Sequence, residues 1–168
     1  MARLLTAKRL RELLSYNPRT GVFTWRITGW GPYIRPGAIA GASRKDGRCV
    51  IRIDQQLYLG SRLAFLWMTG SFPRQSLDHI NGNPSDDRWR NLREANHSQN
   101  GGNQRVQTHK LYSPLKGVTC DKRDGIYQAA IWFQQRRIHL GRFRTPEDAH
   151  LAYRKAARKY FGEFARFS

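Results

Sequence analysis

Residues 77 to 103 constrain this chain more than any other stretch. Leu77-Asp78-His79-Ile80 reads as a short strand, Asn81-Gly82 is a turn dipeptide, Asn91-Leu92-Arg93 offers a returning strand, and Asn96 stands as a cap before a helix carrying Asn100 and Asn103. A hairpin followed at once by a helix is too short to bury a core of its own. It needs neighbours or a ligand to hold it.

The neighbours are strongly basic. Lys and Arg number 30 against 12 Asp and Glu in 168 residues, a formal charge of +18. Residues 1–76 hold 13 basic and 3 acidic side chains, residues 77–105 hold 4 and 4, and residues 106–168 hold 13 and 5. Such an excess repels itself unless a polyanion is the working partner, and basic flanks around a neutral centre suit two regions that grip phosphate and one between them that does chemistry. On charge alone a nucleic acid is the expected partner, with no obligate protein partner implied. A-form RNA closes off the groove that a sheet-type reader would enter, which disfavours RNA.

Other classes fall away. No apolar run approaches the ~18 residues needed to span a bilayer, and Met1-Ala2-Arg3-Leu4-Leu5-Thr6 lacks the apolar stretch of a secretory leader, so a cytoplasmic protein with no membrane partner is expected. Cys49 and Cys120 are far apart and form no Cys-x-x-Cys pair, which supports neither a disulfide scaffold nor a zinc ribbon.

The chain divides into short pieces: 1–76 as an N-terminal α+β extension that contacts DNA, 77–104 as the hairpin-helix unit, 105–115 as a linker without periodicity, and 116–168 as a second α+β unit. In the first piece, Leu10, Leu13 and Leu14 share a helical face from Thr6 to Leu14, Asn17 to Gly21 turns the chain, and Val22 to Trp25 is a strand. Gly29 to Gly41 is a loop. Cys49–Ile53 and Leu57–Leu59 make a hairpin, and a helix runs from Ser61 to about Met68, stopping before Gly70.

In the last piece, residues 116–120, 127–133 and 137–140 alternate as three strands. Thr145-Pro146-Glu147-Asp148 then opens a helix with a capping hydroxyl, a first-turn proline and two acids at its positive end. Apolar positions from 149 to 161 recur at helical spacing and Gly162 ends the run, so a three-stranded antiparallel sheet packed on one helix is expected.

The order Asp78-His79, Asn91-Leu92-Arg93, Asn100 and Asn103 resembles the HNH nuclease family, most closely its phage homing-endonuclease branch. The resemblance implies an α+β fold around a small ββα-metal core and a phage-encoded enzyme of a bacterial host that hydrolyses phosphodiester bonds of double-stranded DNA at a recognised site. It assigns His79 as general base, Asn91 as the group that pins the hairpin loop and so aims His79, and Asp78 and Asn100 as metal ligands. Asn103 lies one turn beyond Asn100 and supports it, and His97, one turn before, is an alternative ligand. Placing Asp78 and His79 in one site requires the strand to twist or end there, because adjacent strand residues face opposite ways. One hard divalent cation, Mg2+ or Mn2+, suits such oxygen donors better than zinc. Asp86 and Asp87, beside Arg88 and Arg90, read as solvated or ion-paired loop acids rather than ligands.

Gly117-Val118, Ala129-Ala130-Ile131, His139 to Phe143, Thr145-Pro146-Glu147 and Ala149 resemble the plant ethylene-response-factor type of DNA-binding domain over about residues 115–165. That resemblance places Gln128, Trp132, Arg137 and His139 on an open sheet face that enters the major groove, with Trp132 either touching a thymine methyl or buried against the other modules. Lys116, Lys122, Arg123, Arg136 and Arg142 are expected to contact phosphate. The rival expectation is a sequence-specific DNA-binding regulator whose HNH motif is structural and inactive.

Overall fold

The computed structural model describes residues 4–29, 33–104, 115–121 and 123–167. Among the described residues it is a mixed α+β protein with four small sheets, and it divides into two compact units, residues 1–94 and 95–168. The division falls inside the 77–104 segment and not at its edges. The expected linker is, but for Leu115, outside the described residues, as is Lys122.

In the first unit, helix α1 (Ala7–Leu13) is capped by Thr6, whose hydroxyl accepts from Arg9 N. Such a cap is worth about 1 kcal/mol. The helix ends one residue earlier than the leucine spacing suggests. Leu14 is extended and opens β1 (Leu14–Asn17), which pairs with β2 (Val22–Trp25) and sets Leu14 opposite Trp25. Leu14 is still buried, so burial is satisfied by either conformation, and the hairpin partner decides between them.

The loop that follows returns to β2, with Ala40 N donating to Phe23 O. A short β3 (Ala42–Ser43), β4 (Cys49–Ile53) and β5 (Gln56–Leu59) form a meander. The β4–β5 turn has Asp54 and Gln55 both at positive φ, as a two-residue hairpin of matching twist demands. Helix α2 (Gly60–Thr69) ends at Gly70 in the left-handed conformation and buries Leu63, Ala64 and Leu66 against Leu10, Leu13, Phe23 and Ile51. Truncating one of these leucines to alanine costs about 2–5 kcal/mol. This core flanks the hairpin formed by β6 (Ser76–His79) and β7 (Leu92–Ala95), whose Leu92 joins it.

In the second unit, Asn96 caps α3 (His97–Asn103) in a reciprocal box with Gln99. Strands β8 (Val118–Asp121), β9 (Ile126–Phe133) and β10 (Arg136–Phe143) form a sheet of order β10-β9-β8, and α4 (Pro146–Phe161), capped by Thr145, packs on it. Val118, Ala129 and Ile131 are buried on the helix side with Ala149, Tyr153 and Ala157. Gly117 is required by both its φ of +76 and its surroundings, since a Cβ there would run into the Tyr153 ring. Helix α3 packs in this unit against α4 and β9, with Gly102 lying flat on the Phe161 ring.

Candidate active site

Strand β6 stops at His79, where Gly82 N donates to His79 O at 2.7 Å and Gly82 takes a φ of +65. Both Asp78 and His79 are buried although they are adjacent on a strand. Each finds a different partner. Arg93 Nε, on the returning strand β7, donates to Asp78 Oδ2 at 2.9 Å. His79 Nε2 lies 2.9 Å from Asp87 Oδ1, in the loop between the two strands.

Asn91 ties that loop together. Its side-chain oxygen accepts from Asn81 N at 3.0 Å, its amide donates to Asn81 Oδ1 at 3.1 Å and to Asp86 O at 2.7 Å, and its carbonyl accepts from Ile80 N at 2.9 Å. These bonds from one buried asparagine set the path of the chain that leaves His79. Asp86, bonded first to Arg88 and then to Asn81, is held down at about 2, and it stiffens the same loop.

Asp87 was expected to be a solvated or ion-paired surface acid, and only half of that describes it. It is 4% exposed, and its partner is His79, itself 9% exposed, instead of a neighbouring arginine. The first 76 residues build its niche. Tyr16 Oη donates to Asp87 O at 2.7 Å, Trp89 N donates to Pro18 O at 3.1 Å, and Gly21, at positive φ, lets the chain pass where a Cβ would come within 2.6 Å of the Asp87 carbonyl carbon. A Cβ on Gly60 would collide with Asp87 Oδ2, so only glycine at the start of α2 admits the carboxylate to that helix end. An anion there is favoured by about 0.3–1 kcal/mol. Burial, and next the charge of Asp87, push both the Tyr16 phenol and the Cys49 thiol upward.

No local pattern marks Asp87 among the loop acids, because its environment is made by residues 27 to 71 positions away in sequence, counting from Gly60 to Tyr16. Asp78, His79 and Asn91 belong to the first unit, and Asn100, Asn103 and His97 to α3 in the second. Asn103 is buried and His97 exposed.

A divalent cation is the group an HNH motif implies, and the donor chemistry here fits one. The Asp78 carboxylate offers hard oxygen, to which Arg93 Nε donates at Oδ2, and a carboxylate can accept several such bonds. Among the described residues, no three His, Cys, Asp or Glu side chains converge as a dedicated metal cage would require.

In the second unit, the register of the sheet sets Arg137 opposite Trp132, His139 opposite Ala130 and Arg142 opposite Gln128. Directly opposed residues share a face, and this face is the one turned away from α4. Trp132 is 65% exposed and not buried within its unit. Arg136, Arg137 and His139 are exposed, Gln128 is half-buried, and Arg123 is exposed at the β8–β9 turn. Two of the expected phosphate contacts are engaged elsewhere. Lys116 Nζ donates to Gly102 O and Gln104 O at 2.7 and 2.6 Å, closing the end of α3, and burial brings its ammonium down to about 8. Arg142 pairs with Asp124.

A family model described as HNH endonuclease matches residues 58–101. The match begins in β5, takes in α2 and the β6–β7 hairpin, and ends in α3. It supports nuclease activity on DNA. Comparisons with curated proteins and with solved structures return no match.

Proposed function

We propose that the chain is a metal-dependent endonuclease that nicks or cuts double-stranded DNA at a recognised site, in the manner of phage homing enzymes. The observation that carries this reading is His79. It is a buried imidazole held by a carboxylate, next in sequence to a buried aspartate, inside the segment that matches HNH endonucleases.

Hydrolysis of a phosphodiester needs a base for water and compensation for the charge that develops on the phosphate and the departing 3′ oxygen. His79 takes the proton from water. Asn91 fixes the loop on which that proton transfer depends. Asp78 would hold the cation; the sequence motif asks for Asn100 as a further ligand, with Asn103 in support and His97 as the alternative ligand. The bound Mg2+ or Mn2+ would supply positive charge to the phosphate oxygens. Residues 116–168 act as the DNA reader, with Trp132, Arg137, His139 and Gln128 on the exposed sheet face and Arg123, Arg136 and Lys122 toward phosphate. The N-terminal residues 1–76 add further basic contacts.

Supercoiled plasmid carrying candidate target sequence tests the proposal. Relaxed circle forms with Mg2+ or Mn2+ and not with EDTA, and His79→Ala forms none. A single observation favours the rival reading of a DNA-binding regulator with an inactive motif: Arg93 already neutralises Asp78. On that reading no divalent cation yields relaxed circle, while DNA binding persists.

A further inference from the structure

We infer that Asp87 is a positioning residue for His79, fixing the neutral imidazole as its Nε2–H tautomer so that Nδ1 is the atom that receives the proton from water. The inference rests on the nuclease reading above for its catalytic use, and on geometry for the tautomer.

A carboxylate only accepts hydrogen bonds, so the imidazole nitrogen 2.9 Å from Asp87 Oδ1 is the one that carries hydrogen. In a neutral ring the lone pair then sits on Nδ1. When Nδ1 gains a proton, the carboxylate stabilises the cation formed, and the low exposure of both partners shields that interaction from water. The proton balance is simple: water loses H+ to Nδ1, hydroxide attacks phosphorus, the P–O3′ bond breaks with its electron pair on O3′, O3′ takes a proton from solvent to become the 3′ hydroxyl, and the ring returns its own proton to solvent.

The carboxylate is itself positioned by the N-terminal half of its unit. Tyr16 holds the Asp87 backbone, Gly21 admits the chain, and Gly60 leaves room for Oδ2. Residues 1–76, expected only to touch DNA, thereby contribute to the geometry of the base. Asn91 restrains the loop from the other side through Asp86 O, one residue before Asp87.

The test uses the full chain labelled with 15N-histidine and long-range 1H–15N correlation spectra, without DNA or cation, with His79→Gln assigning the signal. The wild type should show His79 as Nε2–H, and Asp87→Asn and Asp87→Ala should lose that preference. In plasmid nicking, Asp87→Asn should lower kcat by ~10²-fold, within the usual range for general-base catalysis, with KM for DNA nearly unchanged and partial recovery in Asp87→Glu. A wild-type spectrum showing Nδ1–H, or Asp87→Asn nicking at the wild-type kcat, overturns the inference. The wild-type spectrum decides the tautomer even where a variant fails to fold. A wild type with the Nε2–H tautomer that fails to nick under any divalent cation overturns the nuclease reading and leaves the pairing intact.

Discussion

Arg93 and Asp78 face each other across the β6–β7 hairpin, Nε to Oδ2 at 2.9 Å, with both side chains largely buried. The pair welds the two strands at the position where the cation ligand is proposed. Removing one partner of a buried pair typically costs about 3–5 kcal/mol, because the other charge is left without compensation. Arg93→Ala should therefore lower the melting temperature sharply in EDTA. Millimolar Mg2+ or Mn2+ should restore part of the loss if Asp78 binds a cation, and no restoration would count against Asp78 as a ligand.

His79→Ala should eliminate nicking while DNA affinity stays within a few-fold, because phosphate and base contacts are assigned to other residues. Gel-shift titration alongside plasmid relaxation separates the two effects. Asn91→Ala removes the loop's central partner and leaves buried polar groups unsatisfied, a cost of about 1–3 kcal/mol. It should lose both stability and activity.

Gly60→Ala should weaken activity from outside the motif's polar residues. Its methyl group would displace the Asp87 carboxylate, so nicking falls while α2, which tolerates alanine well, still forms. Equal kcat in wild type and Gly60→Ala would show that the approach of Asp87 to α2 has no bearing on His79.

Acid should loosen the active-site loop. Asp86 is held at about 2 chiefly by its bond to Arg88, below its ordinary 3.8, so the folded state binds fewer protons than the unfolded chain between these values. Its contribution is complete above the unfolded value and disappears as pH falls through the folded one. Comparing wild type with Asp86→Asn from pH 5 down to pH 2 should show the stability gap narrowing.

Lys116 gives a slope of the same sign in an alkaline window. Burial brings its ammonium from 10.5 to about 8, so the unfolded chain binds more protons between these values and stability rises with pH across that window. The rise should be absent in Lys116→Met. That variant should also fray the end of α3, which loses its two ammonium-to-carbonyl bonds, and amide exchange at residues 101–104 reads that directly.

Much of the architecture was legible because it rests on short-range rules. Thr6, Asn96 and Thr145 each cap a helix through a side chain three residues from its donor, and Gly70 ends α2 by adopting positive φ. The alternation of Ala129, Ile131 and Trp132 separates the faces of β9 from sequence alone. Leu14 went the other way, since helical spacing and strand pairing both bury it and only Trp25 across the hairpin settles the matter.

Polar partners were not legible in the same way. Lys116 reads as one more phosphate contact until the carbonyls at the end of α3 are seen around it, and Asp87 reads as one more loop acid until Tyr16, Gly21 and Gly60 close over it. By itself, the order of residues determined that this chain carries an Asp-His hairpin between basic flanks, because turns, caps and charge are written within a few positions. Which acid meets the imidazole was decided only by tertiary structure, since a buried charge takes whichever partner folding brings within about 3 Å, whatever the distance along the chain.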